Sequence, residues 1–332
     1  MLTFIVHRLL IMIPTLLAIS LIIFVIIQLP PGDYFESYIA ELQSQGESVD
    51  TEKIEFLRQQ YGFDRPIMEQ YVFWIWGILQ GDFGYSFEYR LPVSEVVGDR
   101  LYLTAIVSFT TIFFTWFVSF PIGLYSAARQ YSWGDYTLTF VGFIGLATPN
   151  FLFALVLLYF ANVVFGTSIG GLMDAQYIDQ PWSWGKVVSV LEHLWIPVIV
   201  IGTSGTAGMI RRLRANLLDE LEKQYVVTGR AKGLPPTRLL LKYPFRLALN
   251  FFFADIGSLL PSIISGAAVV EIVLSLPTTG PMLLGALRSQ DMYLAGSFLF
   301  FLAFLTVIGV LISDLALAAL DPRIRLQGGQ TR

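Results

Sequence analysis

No cysteine occurs in the 332 residues of the chain, which excludes disulfides, thiolate-held clusters and thiol catalysis. Histidine is nearly as scarce. His7 and His193 are the only two, too few for an imidazole-rich metal site. Charge is the third shortage: charged side chains make up 14% of the sequence, where soluble globular chains carry about 25%. A soluble body of this length could not be covered with so few. The net charge of −4 provides no basic face for nucleic acid. A phosphate-binding loop is missing as well. It needs Gly-x-x-x-x-Gly-Lys-Ser/Thr so that backbone amides and a lysine cradle the phosphates. The single Gly-Lys pair, Gly185-Lys186, is followed by Val187 and has no upstream glycine at that spacing. The chain therefore does not bind ATP in that way.

What fills the sequence instead is apolar: 55% of residues are hydrophobic. The length is spent on membrane spans. Six runs are long enough to cross a bilayer, roughly Leu9–Ile27, Leu101–Ala127, Tyr136–Val164, Leu194–Ile210, Phe245–Val273 and Leu294–Leu320. An even count leaves both termini on one side. The first run outlasts a secretory signal core and ends in Gln28-Leu29-Pro30-Pro31-Gly32 without a small-x-small cleavage site, so it reads as a span. Lysine and arginine set the orientation. Fourteen lie at the termini, at Arg129 and in the loop 211–246; seven lie on the other side, with most of the acids, including thirteen between Asp33 and Asp99. Positive-inside bias puts both termini and the basic loop in the cytoplasm.

The outer segment 28–100 is too long for a plain connection. Asp50 or Thr51 caps a helix whose Ile54, Leu57 and Tyr61 share a face and which Gly62 ends. Pro66 opens a second helix and Gly81 closes it. Its Ile67, Tyr71, Trp74, Ile75 and Ile78 form one broad apolar stripe. Such a stripe suits the outer membrane interface or packing on the tops of the spans, and an external partner is compatible with either.

Three acids lie within or at the ends of apolar runs: Asp255, Glu271 and Asp314. A charge there is costly unless paired or wet, so each is a candidate pathway residue or a structural helix-end group. Ser204 and Gly208 are spaced for close helix packing. The most informative stretch follows the fourth run. Arg211-Arg212-Leu213-Arg214 leads to Tyr225-Val226-Val227-Thr228-Gly229-Arg230-Ala231-Lys232-Gly233-Leu234 and then Pro235-Pro236. Glycine at 233 ends a helix readily in the left-handed conformation, and two prolines forbid its continuation. The spacing predicts a compact, basic helical projection.

At Arg230-Ala231-Lys232-Gly233-Leu234 the chain resembles the inner-membrane permease subunits of ATP-binding-cassette importers, specifically the dipeptide/oligopeptide group. The resemblance runs in register through His7-Arg8-Leu9-Leu10, Pro31-Gly32-Asp33, Tyr61-Gly62-Phe63-Asp64-Arg65-Pro66 with Gln70-Tyr71, and Gly81-Asp82-Phe83-Gly84-Tyr85-Ser86. It continues through Pro149, Val270-Glu271-Ile272-Val273 and Asp321-Pro322-Arg323-Ile324-Arg325. The group usually has Arg-Thr-Ala where Val227, Thr228 and Gly229 stand, so only Thr228 fits, and Ser275-Leu276-Pro277-Thr278-Thr279-Gly280 replaces Ser-Trp-Pro-Gly-Leu-Gly.

The resemblance implies an all-α integral membrane protein of the type I importer permease fold, with six transmembrane helices, a partly helical periplasmic insert at 28–100 and a cytoplasmic loop at 211–244. It implies a coupling helix carried by Tyr225, Thr228, Arg230, Ala231, Lys232, Gly233 and Leu234, seated in a groove of an ATPase. It implies partners: a second homologous permease, two cytoplasmic ATPases that bind the ATP and magnesium, and an external solute-binding protein. The chain itself then holds no catalytic residue, metal or cofactor. Peptides are the expected cargo, with oligosaccharides or another solute as the alternative. An ion-coupled carrier working through Asp255 is the competing class, and neither an inverted repeat nor paired broken helices are visible for it.

Overall fold

In the computed structural model, described over residues 2–44, 51–165, 170–178, 180–250, 252 and 268–320, helix follows helix with one small hairpin between them. The first long apolar run becomes α1 (Leu2–Gln28). Gly32, at a φ of +91°, turns the chain, and Asp33 starts α2 (Tyr34–Ser44) by accepting the amide of Glu36 at 2.8 Å. The two helices expected in the outer segment follow with their expected punctuation. The helix α3 (Thr51–Tyr61) ends at Gly62, φ +74°. The helix α4 (Ile67–Gln80) begins after Pro66 and is closed by left-handed Gly81. A two-residue hairpin, β1 (Tyr85–Ser86) against β2 (Leu91–Pro92), then leads into α5 (Val93–Ala128).

The third run is not one straight span. It divides into α6 (Trp133–Ala147) and α7 (Asn150–Phe165), bent by 97° across Thr148-Pro149. The fourth run is the middle of a much longer helix, α8 (Trp184–Leu221). Beyond it come α9 (Gln224–Ala231), α10 (Pro236–Lys242) and α11 (Pro244–Ala248). Most of the fifth run, including Asp255, lies outside the described residues. The chain resumes with α12 (Ala268–Val273), α13 (Thr279–Arg288) and α14 (Met292–Leu320). Among the described residues, four helices are long and apolar enough to cross a membrane, α1, α5, α8 and α14, and the bent pair α6–α7 makes a fifth if it counts as one span.

Two packing centres hold the helices. α5 and α8 run against each other along much of their length. Small groups permit the approach: a Cβ on Gly202 would come within 2.6 Å of Phe114, and one on Gly123 within 2.9 Å of Leu213. The second centre joins α1, α14 and the 34–92 segment through Phe24, Phe35, Trp74, Phe87 and Phe298, all buried. Here the short motifs of the 28–100 segment converge. Tyr293 of α14 donates to the Tyr61 carbonyl at 2.6 Å, Ser297 to the Phe83 carbonyl at 2.9 Å, and Gln290 to the Pro31 carbonyl at 3.0 Å. Gly84, at φ +83°, lies directly beneath the Tyr293 ring, where a Cβ has no room. Asp291, fully buried, caps α14 through the Leu294 amide and accepts the Ser86 hydroxyl at 2.7 Å and the Glu88 amide at 3.2 Å.

Candidate functional site

The basic projection is built on the end of α8. Leu213 and Leu217, one helical turn apart and without exposed surface, pack with Met209, Ala127, Ala248 and Phe252. Arg214, between them, forms a two-pronged pair with buried Asp135 of α6: Nε lies 3.0 Å from Oδ1 and Nη2 lies 2.8 Å from Oδ2. Parallel guanidinium–carboxylate bonds fix orientation as well as distance. Asp135 also accepts the Tyr131 amide at 3.0 Å, and Ser132 caps α6 at the Asp135 amide. The last turns of α8 are thereby tied to the start of α6.

A two-residue turn separates α8 from α9. Tyr225 reaches back to donate to Glu220 at 2.6 Å, and burial, followed by that hydrogen bond, raises its phenol above the ordinary value. It stays a donor at physiological pH. On the inner side of α9, Val226 and Gly229 are buried, and a Cβ on Gly229 would meet Leu239 of α10 at 2.5 Å. The C-terminus closes with the Leu234 amide on the Gly229 carbonyl at 3.2 Å and the Gly233 amide on the Arg230 carbonyl at 2.9 Å. This paired arrangement needs a left-handed residue, and Gly233 supplies it at φ +73°. Pro236 then occupies the first position of α10, where no amide is required.

The result is a short, braced helix with a free outer face. Val227, Thr228, Arg230, Ala231, Lys232 and Gly233 are exposed. The side chains of Arg230 and Lys232 take no hydrogen bond or ion pair among the described residues. Tyr225, Thr228, Arg230, Ala231, Lys232, Gly233 and Leu234, singled out from the sequence, are thus gathered on one helix and its cap. The acids are not gathered. Asp314 lies 3.0 Å from Arg8 of α1. Glu271 is buried on α12 against Gly280 at the start of α13. Glu271 and Asp314 thus sit on different helices, each against its own neighbour. Sequence reasoning missed the Arg214–Asp135 pair and the burial of Gly229. The first joins residues 79 apart, and no local pattern marks it.

Long apolar helices around a braced, basic short helix define a class: a polytopic helical membrane protein. Comparison with known proteins makes the class specific. Residues 119–326 match the family described as binding-protein-dependent transport system inner membrane component, and residues 1–110 match that system's N-terminal membrane component. The chain belongs to this family and is a transport permease subunit. It is 34% identical over 325 residues to the oligopeptide transport system permease protein AppB of Bacillus subtilis, covering 98% of this chain and 99% of that one. It is 29% identical to the peptidoglycan transport system permease protein YejB of Agrobacterium fabrum, over 97% of each chain. To the dipeptide transport system permease protein DppB of Escherichia coli K12 it is 28% identical, over 98% of this chain and 99% of that one.

Proposed function

We propose that the chain forms half of the translocation pore of an ATP-driven, binding-protein-dependent importer of peptides, and that α9 is the element on which a partner ATPase acts. The observation that carries this reading is the construction of α9. It is rigidly seated on its inner side through Val226, Gly229 and Leu239, and its outer side is left unengaged. A helix that must transmit motion between two bodies needs such a seat. The peptide cargo follows from the names of the relatives, which transport oligopeptides, dipeptides and peptidoglycan. Six spans, cytoplasmic termini and an external 28–100 insert complete the proposal. A second permease, two ATPases holding ATP and magnesium, and an external binding protein are the partners it requires.

The test compares uptake and ATP hydrolysis in reconstituted complexes of equal permease content. At Gly233 an added Cβ meets no atom within 4 Å, so the obstacle to a side chain is the left-handed backbone, worth about 1–2 kcal/mol. A β-branched residue suffers most. Exposed charge pairs are worth only about 0–1 kcal/mol each. Gly233→Val is therefore expected to abolish most coupled uptake, and Lys232→Ala to reduce it mildly. Full coupled transport by Gly233→Val, or a larger loss from Lys232→Ala, would overturn the reading.

A further inference from the structure

The helix α4 has two apolar faces, and the fold accounts for one of them. On the inner face, the Tyr71 hydroxyl lies 2.8 Å from the Ser20 hydroxyl. The Trp74 indole donates to Ser297 at 3.2 Å, and its ring stacks on Phe24 with centroids 6.0 Å apart. Gln28 donates to Gln70 at 3.0 Å. These contacts fix the depth of α4. Ser20 lies eight residues before the end of α1 at Gln28, about 12 Å along the axis. Ser297 lies five residues into α14 from Met292, about 7 Å. The middle of α4 therefore leans on the flanks of two membrane-length helices, below their ends, and not on their tops.

The outer face carries Met68, Val72, Phe73, Trp76 and Leu79, which are between 44% and 73% exposed. They follow one another at helical spacing as a continuous stripe. A soluble surface rarely shows such a patch to water. At the same depth, α1 exposes Leu21, Ile22, Val25 and Ile26, so the patch continues the apolar surface of a span. At its polar edge the Arg65 guanidinium sits over the Phe73 ring, 5.0 Å from the centroid. Arg65, Met68, Glu69, Val72, Phe73 and Trp76 line an open cleft of about 370 Å³.

We propose that α4 is embedded sideways in the leaflet on the insert's side of the membrane and that its outer face holds a phospholipid. Acyl chains lie over Val72, Phe73, Trp76 and Leu79, and the phosphate rests on Arg65. Depth, continuity with the span surface and one cation at the rim all fit a lipid. A soluble partner would instead have to reach below the ends of α1 and α14. The inference rests on the membrane assignment and is independent of the cargo and of the role of α9.

The cysteine-free chain makes the test direct. Single cysteines at Val72, Trp76 and Leu79, with Gln59→Cys on α3 as the water-exposed control, are spin-labelled in the full chain in membrane-derived nanodiscs. Collision rates with oxygen and with a water-soluble nickel chelate are then measured. The three α4 positions are expected to favour oxygen severalfold, and Gln59 to favour nickel. Nickel-dominated collisions on α4 would place the face in water, and suppression of both reagents would place it under protein; either result overturns the proposal. For the headgroup, native mass spectrometry should show Arg65→Glu retaining about one phospholipid fewer per chain than the unaltered protein. An unchanged count would refute the phosphate contact.

Discussion

At Asp291 two effects oppose each other. Burial raises its carboxyl above the ordinary value, while the Ser86 hydroxyl and the Glu88 and Leu294 amides pull it down, and burial dominates. The folded chain thus holds this proton more tightly than the unfolded chain. Stability from the site is fully present below the ordinary carboxylate range and is lost as pH rises through the raised folded value. The contact between the β1–β2 hairpin and α14 should therefore weaken from acid toward neutral pH. Asp291→Asn keeps an oxygen that can accept from Ser86 and cannot ionise. The difference in thermal unfolding midpoint between the two chains should shift in favour of the amide variant as pH rises from about 4.5 to 7.5. A pH-independent difference would remove Asp291 as the titrating group.

Among the elements, the seat of α9 is sensitive to volume. Gly229→Ala drives a methyl into Leu239, and overpacking of this kind costs typically about 1–3 kcal/mol. Leu239→Ala alone leaves a cavity, at about 2–5 kcal/mol. Combined, the two should cost clearly less than their sum, read as protease nicking between α8 and α10 or as thermal stability; strict additivity would show that the two side chains do not meet. This seat was half legible in the sequence. Gly233 and the Pro235-Pro236 pair marked where α9 stops, because left-handed backbone and a missing amide are local requirements. Gly62, Pro66 and Gly81 delimited α3 and α4 for the same reason. Leu239, by contrast, explains Gly229 only after the chain has folded back. The break between α6 and α7 was hidden for another reason. Hydropathy over 136–164 is uninterrupted and carries no record of direction, and proline alone does not signal a bend here: Pro14, Pro121 and Pro197 all sit inside continuous helices. Neighbouring groups re-satisfy the backbone in such cases. The ends of α8 were missed because its polar flanks continue the helix that the apolar run only marked.

For the whole molecule, the Arg8–Asp314 pair puts the beginning of α1 and the last turns of α14 at one end. The basic loop predicts which side that end faces. In intact cells Glu55→Cys on α3 should react with a membrane-impermeant thiol reagent, and Thr237→Cys on α10 only after permeabilisation; the reverse pattern would invert the orientation. Within this frame α8 is a single rod of 38 residues, about 57 Å from end to end. Near one tip Lys186 holds the Gln180 carbonyl at 2.7 Å; at the other tip the chain turns directly into α9. An inclination of only about 5° around the midpoint swings each tip by about 2.5 Å, nearly the length of that hydrogen bond. Angular play too small to disturb the packed middle of α8 is therefore large enough to make or break a polar contact at both extremities in the same stroke.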